Sequence, residues 1–108
     1  DGLTERDLLY VDDVVDFIAA AVDKQQDMYK LYNVGYGDSF SVKQIVEKII
    51  EHSGKNLIVT HDLTKPSINT KLALNSEKAY AELGWKPKIT IDDGIKKTIA
   101  WYKKNIGQ

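Results

Sequence analysis

Three groups of residues in this chain have types and spacings that could do chemistry. Asp12, Asp13 and Asp16 crowd one short stretch, and carboxylates four apart on a helix share a face from which oxygens could reach a hard cation. Acids at a helix start are also what the positive end of the macrodipole favours, and capping with a solvated face is the simpler account. Arg6 is the only arginine, every other basic residue being lysine. A planar guanidinium fork suits a diphosphate bidentately, whereas a lone arginine more commonly serves in a surface ion pair. Lys65 and Lys71 are further basic groups close to apolar connections. The third group is glycine. A dinucleotide cradle needs glycines in close series after a strand, so that backbone can approach a pyrophosphate. Glycines 2, 35, 37, 54, 84, 94 and 107 contain no such series. Gly35-x-Gly37 is its only fragment, and a turn role explains it better.

The remaining reactive types read as structural. His52 and His61 have no ligand or triad partner at a recognisable spacing, and His52 falls late in a helical pattern, where the dipole favours it. Trp85, Trp101 and Tyr102 could stack a base, but Trp101 and Tyr102 run in register with Ile95 and Ile99 and read as packing groups. Trp85, next to Gly84, reads as a plug that pins a short helix to the domain. No catalytic, cofactor-binding or metal-binding residue is assigned.

The elements that must position these groups alternate in type. Residues 8–11 read as a short strand, followed by a helix capped by Asp12 with Val14, Ile18, Ala21 and Val22 on one face. Residues 30–34 read as a second strand ending in Gly35-Tyr36-Gly37-Asp38. Ser41-x-x-Gln44 has capping-box spacing before a helix with Val42, Ile45, Val46, Ile49 and Ile50 as its stripe, closed by Gly54. Residues 57–60 are a third strand candidate, residues 61–70 an extended connection, and residues 71–74 a further extended segment. Asn75 caps a short helix over residues 76–83 that Gly84 ends. Thr90 caps the last helix, with Asp92 and Asp93 in its first turn, Lys103 and Lys104 in its last, and Ile91, Ile95, Ile99 and Tyr102 as its buried face. The pattern predicts an α/β fold, a small parallel sheet with about four helices.

Composition bounds the rest. At 108 residues and 43% hydrophobic content the chain is long enough for one modest core. Fifteen basic and sixteen acidic residues leave a net charge of −1, which favours neither nucleic acid nor an anionic membrane. With no cysteine there are no disulfides, thiolate metal sites or thiol nucleophiles, in keeping with a cytoplasmic setting. No apolar run approaches the roughly 20 residues of a membrane helix.

Taken in order, Arg6-Asp7-Leu8-Leu9-Tyr10-Val11-Asp12-Asp13, Tyr32-Asn33-Val34-Gly35, Ser41-Val42, Lys65-Pro66, Ser76-Glu77-Lys78-Ala79, Leu83-Gly84-Trp85-x-Pro87, and Gly94-Ile95 with Thr98-Ile99-x-Trp101-Tyr102 cover nearly the whole chain. This series resembles the carboxyl-terminal third of the nucleotide-sugar epimerases and dehydratases, the extended short-chain dehydrogenase/reductase family. The resemblance implies a single substrate-binding domain over residues 1–108 that clasps a nucleotide-diphospho-sugar against a Rossmann domain holding NAD or NADP. Arg6 matches the family arginine on the diphosphate. Residues 65–71 match the region where many members place a second arginine on the nucleotide; here Lys71 supplies charge without the bidentate fork. Asn75 stands where many members have aspartate, and both residues cap helices.

The family's catalytic Tyr-x-x-x-Lys is absent: four positions after the six tyrosines stand Val14, Asn33, Tyr36, Phe40, Gly84 and Ile106. The expectation is therefore a non-catalytic lobe, lacking its Rossmann domain, of an enzyme that can be a homodimer. A beginning at Asp1-Gly2 without methionine fits that better than the alternative, a free-standing non-enzymatic α/β interaction module.

Overall fold

The fold is taken from a computed structural model, which describes residues 1–107. In chain order it comprises β1 (Glu5–Arg6), α1 (Val11–Lys24), β2 (Phe40–Ser41), α2 (Val42–Ser53), α3 (Glu77–Leu83) and α4 (Ile91–Asn105). It is α/β with four helices, as expected, but its sheet is different. β1 and β2 pair antiparallel, Glu5 opposite Ser41 and Arg6 opposite Phe40, and the parallel element is a single bridge between Glu5 and Lys71. The expected strands over residues 8–11, 30–34 and 57–60 do not form: Val11 already begins α1, and none of the three segments has a neighbouring ladder among the described residues, without which strand propensity does not hold a segment in a sheet. Ile58 is 93% exposed.

Helix ends follow local chemistry closely. Gln44 N–H donates to Ser41 Oγ at 3.1 Å and Ser41 N–H to Gln44 Oε1 at 2.8 Å, completing the capping box of α2, while Gly54 closes it at φ 70°. Asp93 N–H donates to Thr90 Oγ1 at 3.2 Å to cap α4. At α3, Asn75 Oδ1 accepts from Glu77 N–H at 2.9 Å, although Ser76 occupies the cap position proper. The start of α1 differs from expectation: Tyr10 is its N-cap without a side-chain bond, so Asp12 lies one residue inside the helix.

The core is small and lies between α1 and α3. Ala79, Leu83 and Trp85 are buried, with Leu9, Phe17, Ala20, Ala21, Tyr32 and Val34 packed around them. Phe17 meets Trp85 edge-on at 5.6 Å and Tyr32 at 5.8 Å. The packed face of α1 is thus Asp13, Phe17, Ala20 and Ala21. Of the expected face, Val14 and Ala21 are half-buried, whereas Ile18 is exposed and Val22 is 81% exposed. With Val11 and Val15 they form a second, outward apolar stripe at i, i+4, i+7 and i+11. α2 packs on α4, with Ile91, Ile95 and Ile99 half-buried, but Tyr102 and Trp101 are exposed. No helix among the described residues is long and apolar enough to cross a membrane.

Candidate functional site

Arg6 sits where three segments meet. In the ladder Glu5 N–H donates to Thr70 O at 2.8 Å and Leu72 N–H to Glu5 O at 3.3 Å, which draws the connection over residues 68–72 alongside β1. Successive strand residues face opposite ways. Glu5 and Lys71, a bridged pair, therefore share one face and Arg6 and Thr70 share the other. The bonds agree: Arg6 Nη1 donates to Thr70 Oγ1 at 2.8 Å, to Thr70 O at 3.3 Å and to Glu5 O at 2.8 Å. On the opposite face Glu5 Oε1 accepts from Ser39 Oγ at 2.9 Å, with Lys71 Nζ at 3.8 Å. The two cations singled out from sequence are thus neighbours along the chain path but lie on opposite faces. Arg6 is half-buried, and no carboxylate lies within ion-pair distance of it among the described residues.

Asp7, the next residue, organises the loops around this point. Its Oδ1 accepts from Tyr36 N–H at 2.7 Å, and its Oδ2 accepts from Gly37 N–H at 2.9 Å and Leu74 N–H at 3.1 Å. Ser76 Oγ accepts from Gly35 N–H at 2.9 Å and donates to Gly35 O at 3.2 Å, tying the same loop to the head of α3. Gly37 adopts φ 93°, a conformation that glycine takes without strain. Between this loop and α3 runs an open groove of about 590 Å³ lined by Tyr36, Leu74, Ser76, Tyr80, Trp85 and Pro87, among others.

The Gly35-x-Gly37 loop does not fit a dinucleotide. Amides that would cradle a pyrophosphate are donated to Asp7, whose carboxylate occupies the place of the anion and would repel another. The three acids do not come together: among the described residues no group of three or more ligating side chains converges. Asp12 and Asp16 are exposed, but Asp13 is 1% exposed and neither caps nor faces solvent. Its Oδ1 accepts from Lys88 N–H and its Oδ2 from Ile89 N–H, each at 3.1 Å, while Trp85 Nε1 donates to its carbonyl at 2.9 Å. Asp13 and Trp85 together dock the connection between α3 and α4 onto α1. That is the plug role read for Trp85.

His52 does more than answer a helix dipole. Its Nε2 lies 2.8 Å from Asp92 Oδ1, and Lys48 Nζ reaches the same carboxylate at 3.0 Å, so α2 holds the first turn of α4. The hydrogen bond from His52, reinforced by Lys48, holds the Asp92 carboxyl below its ordinary value. His61 and Lys65 are exposed, and Lys65 forms no ion pair among the described residues.

Sequence reasoning found Arg6 by its rarity but missed Thr70, 64 positions away, because no local spacing links them. Asp7 was visible only as part of a motif, and the one available signal was its place beside the lone arginine.

Comparisons with known proteins bear on this arrangement. The family model described as GDP-mannose 4,6 dehydratase matches residues 1–98. The chain is 33% identical over 111 residues to the dTDP-D-glucose 4,6-dehydratase of Mus musculus, covering 96% of this chain and 31% of that protein. It is 32% identical over 105 residues to GDP-L-fucose synthase 1 of Arabidopsis thaliana, covering 97% and 32%. Among solved structures, UDP-glucose 4-epimerase of Bifidobacterium longum, in complex with NAD+ and UDP, superposes with a TM-score of 0.87 at 28% identity, over 99% of this chain and 32% of that one. The Thermotoga maritima UDP-glucose 4-epimerase with UDP-glucose gives 0.87 at 30% identity, over 98% and 34%. The chain spans about a third of the length of the relatives it matches.

Proposed function

From the premise that the chain belongs to the NAD-dependent nucleotide-sugar epimerase/dehydratase family, as its match to the GDP-mannose 4,6 dehydratase model places it, we propose that it forms the substrate lobe of such an enzyme, binding a nucleotide-diphospho-sugar through Arg6. The observation that carries this reading is the state of Arg6. A half-buried guanidinium with one nitrogen anchored to backbone and no carboxylate partner among the described residues is a charge held ready for an anion. Lys71, exposed and on the opposite face, takes a weaker, long-range part. The B. longum relative holds NAD+ and UDP and the T. maritima relative UDP-glucose, in chains about three times as long.

The lobe works against a separate Rossmann domain, which supplies the NAD or NADP site and the catalytic residues. The chain's shape supports this. Its radius of gyration is 16.7 Å, against about 13 Å for a self-contained domain of this length. The outward stripe of Val11, Val15, Ile18 and Val22 is the kind of apolar face that a domain interface covers. The working form is cytoplasmic and can be a homodimer.

An intact enzyme carrying Arg6→Ala tests the reading by calorimetric titration with UDP, GDP and dTDP. Loss of a charge-assisted diphosphate contact should cost about 1.5–3 kcal/mol, or roughly 10- to 150-fold in affinity. Unchanged affinity for all three would make Arg6 structural.

A further inference from the structure

We infer that Thr70 is the positioning residue of this site, holding one nitrogen of Arg6 so that the opposite edge of the guanidinium is presented to the diphosphate; the inference rests on the reading of Arg6 given above. All the hydrogen bonds of the Arg6 side chain among the described residues leave from Nη1, to Thr70 Oγ1, Thr70 O and Glu5 O. Nη1 carries two hydrogens, and three acceptors use them fully. Nη2 and Nε, the pair of donors that forms one straight edge of the fork, have no protein acceptor among the described residues. That edge matches two oxygens of a phosphate bidentately.

Thr70 is itself fixed before it touches Arg6. Its carbonyl accepts from Glu5 N–H at 2.8 Å, its N–H donates to Ile68 O at 3.0 Å, and Thr4 Oγ1 also donates to Ile68 O. Register therefore sets which face its hydroxyl occupies, and that face is the face of Arg6. Two of the three acceptors on Nη1 are backbone carbonyls and survive any side-chain change. The hydroxyl is the contact that the residue's identity controls. At 2.8 Å it is the closer of the two acceptors on residue 70, the carbonyl lying at 3.3 Å, so without it Nη1 is held chiefly through Glu5 O and the fork can pivot about that bond. A pivot would cost the bidentate match without removing the charge, so the effect of losing the hydroxyl should be smaller than that of losing Arg6.

The test is a double-mutant cycle in the intact enzyme, with UDP, GDP and dTDP as titrants and Arg6→Ala, Thr70→Val, Thr70→Ser and the Arg6→Ala, Thr70→Val pair as variants. Thr70→Val should weaken the diphosphate that binds wild type about five- to tenfold. Thr70→Ser, which keeps the hydroxyl, should stay within about twofold. In the Arg6→Ala background Thr70→Val should have no further effect. Equal losses from Thr70→Val with and without Arg6 would make the residue merely structural and overturn the inference, as would wild-type affinity in Thr70→Val or an equal loss in Thr70→Ser. Thr70→Ala serves as the second hydroxyl-free variant if the valine protein does not fold, and failure of both to fold also overturns the inference. Wild-type affinity in Arg6→Ala would instead overturn the reading of Arg6 itself.

Discussion

Replacing Asp13 tests whether a carboxylate in the first turn of α1 works as a solvated acid or as a buried clasp. Its oxygens accept from Lys88 N–H and Ile89 N–H at 3.1 Å each, and the side chain is almost wholly enclosed, at 1% exposure. A hydrogen bond to a charged group contributes about 1.5–3 kcal/mol, and leaving a buried donor unpaired costs about 1–3 kcal/mol. Asp13→Asn keeps one acceptor and turns an NH₂ toward the other amide, so it should destabilise by roughly 1–3 kcal/mol. Asp13→Ala removes both acceptors. Lys88 and Ile89 lie near enough to the surface for water to recover part of the loss, which sets the expectation at about 2–4 kcal/mol. Asp12→Asn and Asp16→Asn, at exposed positions of the same helix, should each cost no more than about 0.5 kcal/mol through the dipole. The assay is equilibrium urea unfolding in a Trp101→Phe background, which leaves Trp85 as the only tryptophan reporter. Because Trp85 Nε1 donates to the Asp13 carbonyl, its native emission should also shift to the red in the alanine variant. An Asp13→Asn protein within about 0.5 kcal/mol of its parent would refute the clasp and return Asp13 to the class of its exposed neighbours.

Two further perturbations follow from the packing. A methyl group at Gly35 would lie 2.7 Å from Leu74 Cβ and 2.9 Å from Asp7 Oδ2, so Gly35→Ala should push the loop off the Asp7 carboxylate at a cost of about 1–3 kcal/mol. Faster amide exchange at Tyr36 and Gly37 is the specific readout, and unchanged protection would refute it. Asp92 has a carboxyl held below its ordinary value by His52 first and Lys48 second, so its ionised form stabilises the α2–α4 pair above the unfolded-state value near 3.8 and that contribution is lost as pH falls below it. Asp92→Asn should therefore be less stable than wild type at pH 7, with a smaller gap at about pH 3, measured by denaturant titration at both; a gap unchanged between the two would show the loss to be one of packing.

What could be read from the sequence, and what could not, divides by the distance over which each signal acts. The Ser41 and Gln44 box, the Thr90 cap and the left-handed glycines at 54 and 84 involve partners within four residues, and all stand where expected. α1 is apolar on two sides, so periodicity gives a helix but cannot choose between the stripe of Asp13, Phe17 and Ala20 and that of Val15, Ile18 and Val22. That choice is made by Trp85, some seventy residues away, through a buried aspartate that no apolar pattern would select. Arg6 stood out by residue type, whereas the Thr70 that holds it depends on a register that only the folded ladder defines.

The strand assignments failed for a related reason that carries its own content. Residues 30–34 and 57–60 have strand composition, and composition records the environment in which a segment was selected to sit. Among the described residues neither segment pairs, Leu31 and Ile58 project outward, and the chain is more extended than a closed domain of its length. Residues 57–60, with apolar side chains exposed and no backbone pairing among the described residues, present both hydrogen-bonding groups and hydrocarbon to water, and a neighbouring sheet satisfies both at once. Under the proposed function, such surface is available to the Rossmann domain that the reading invokes.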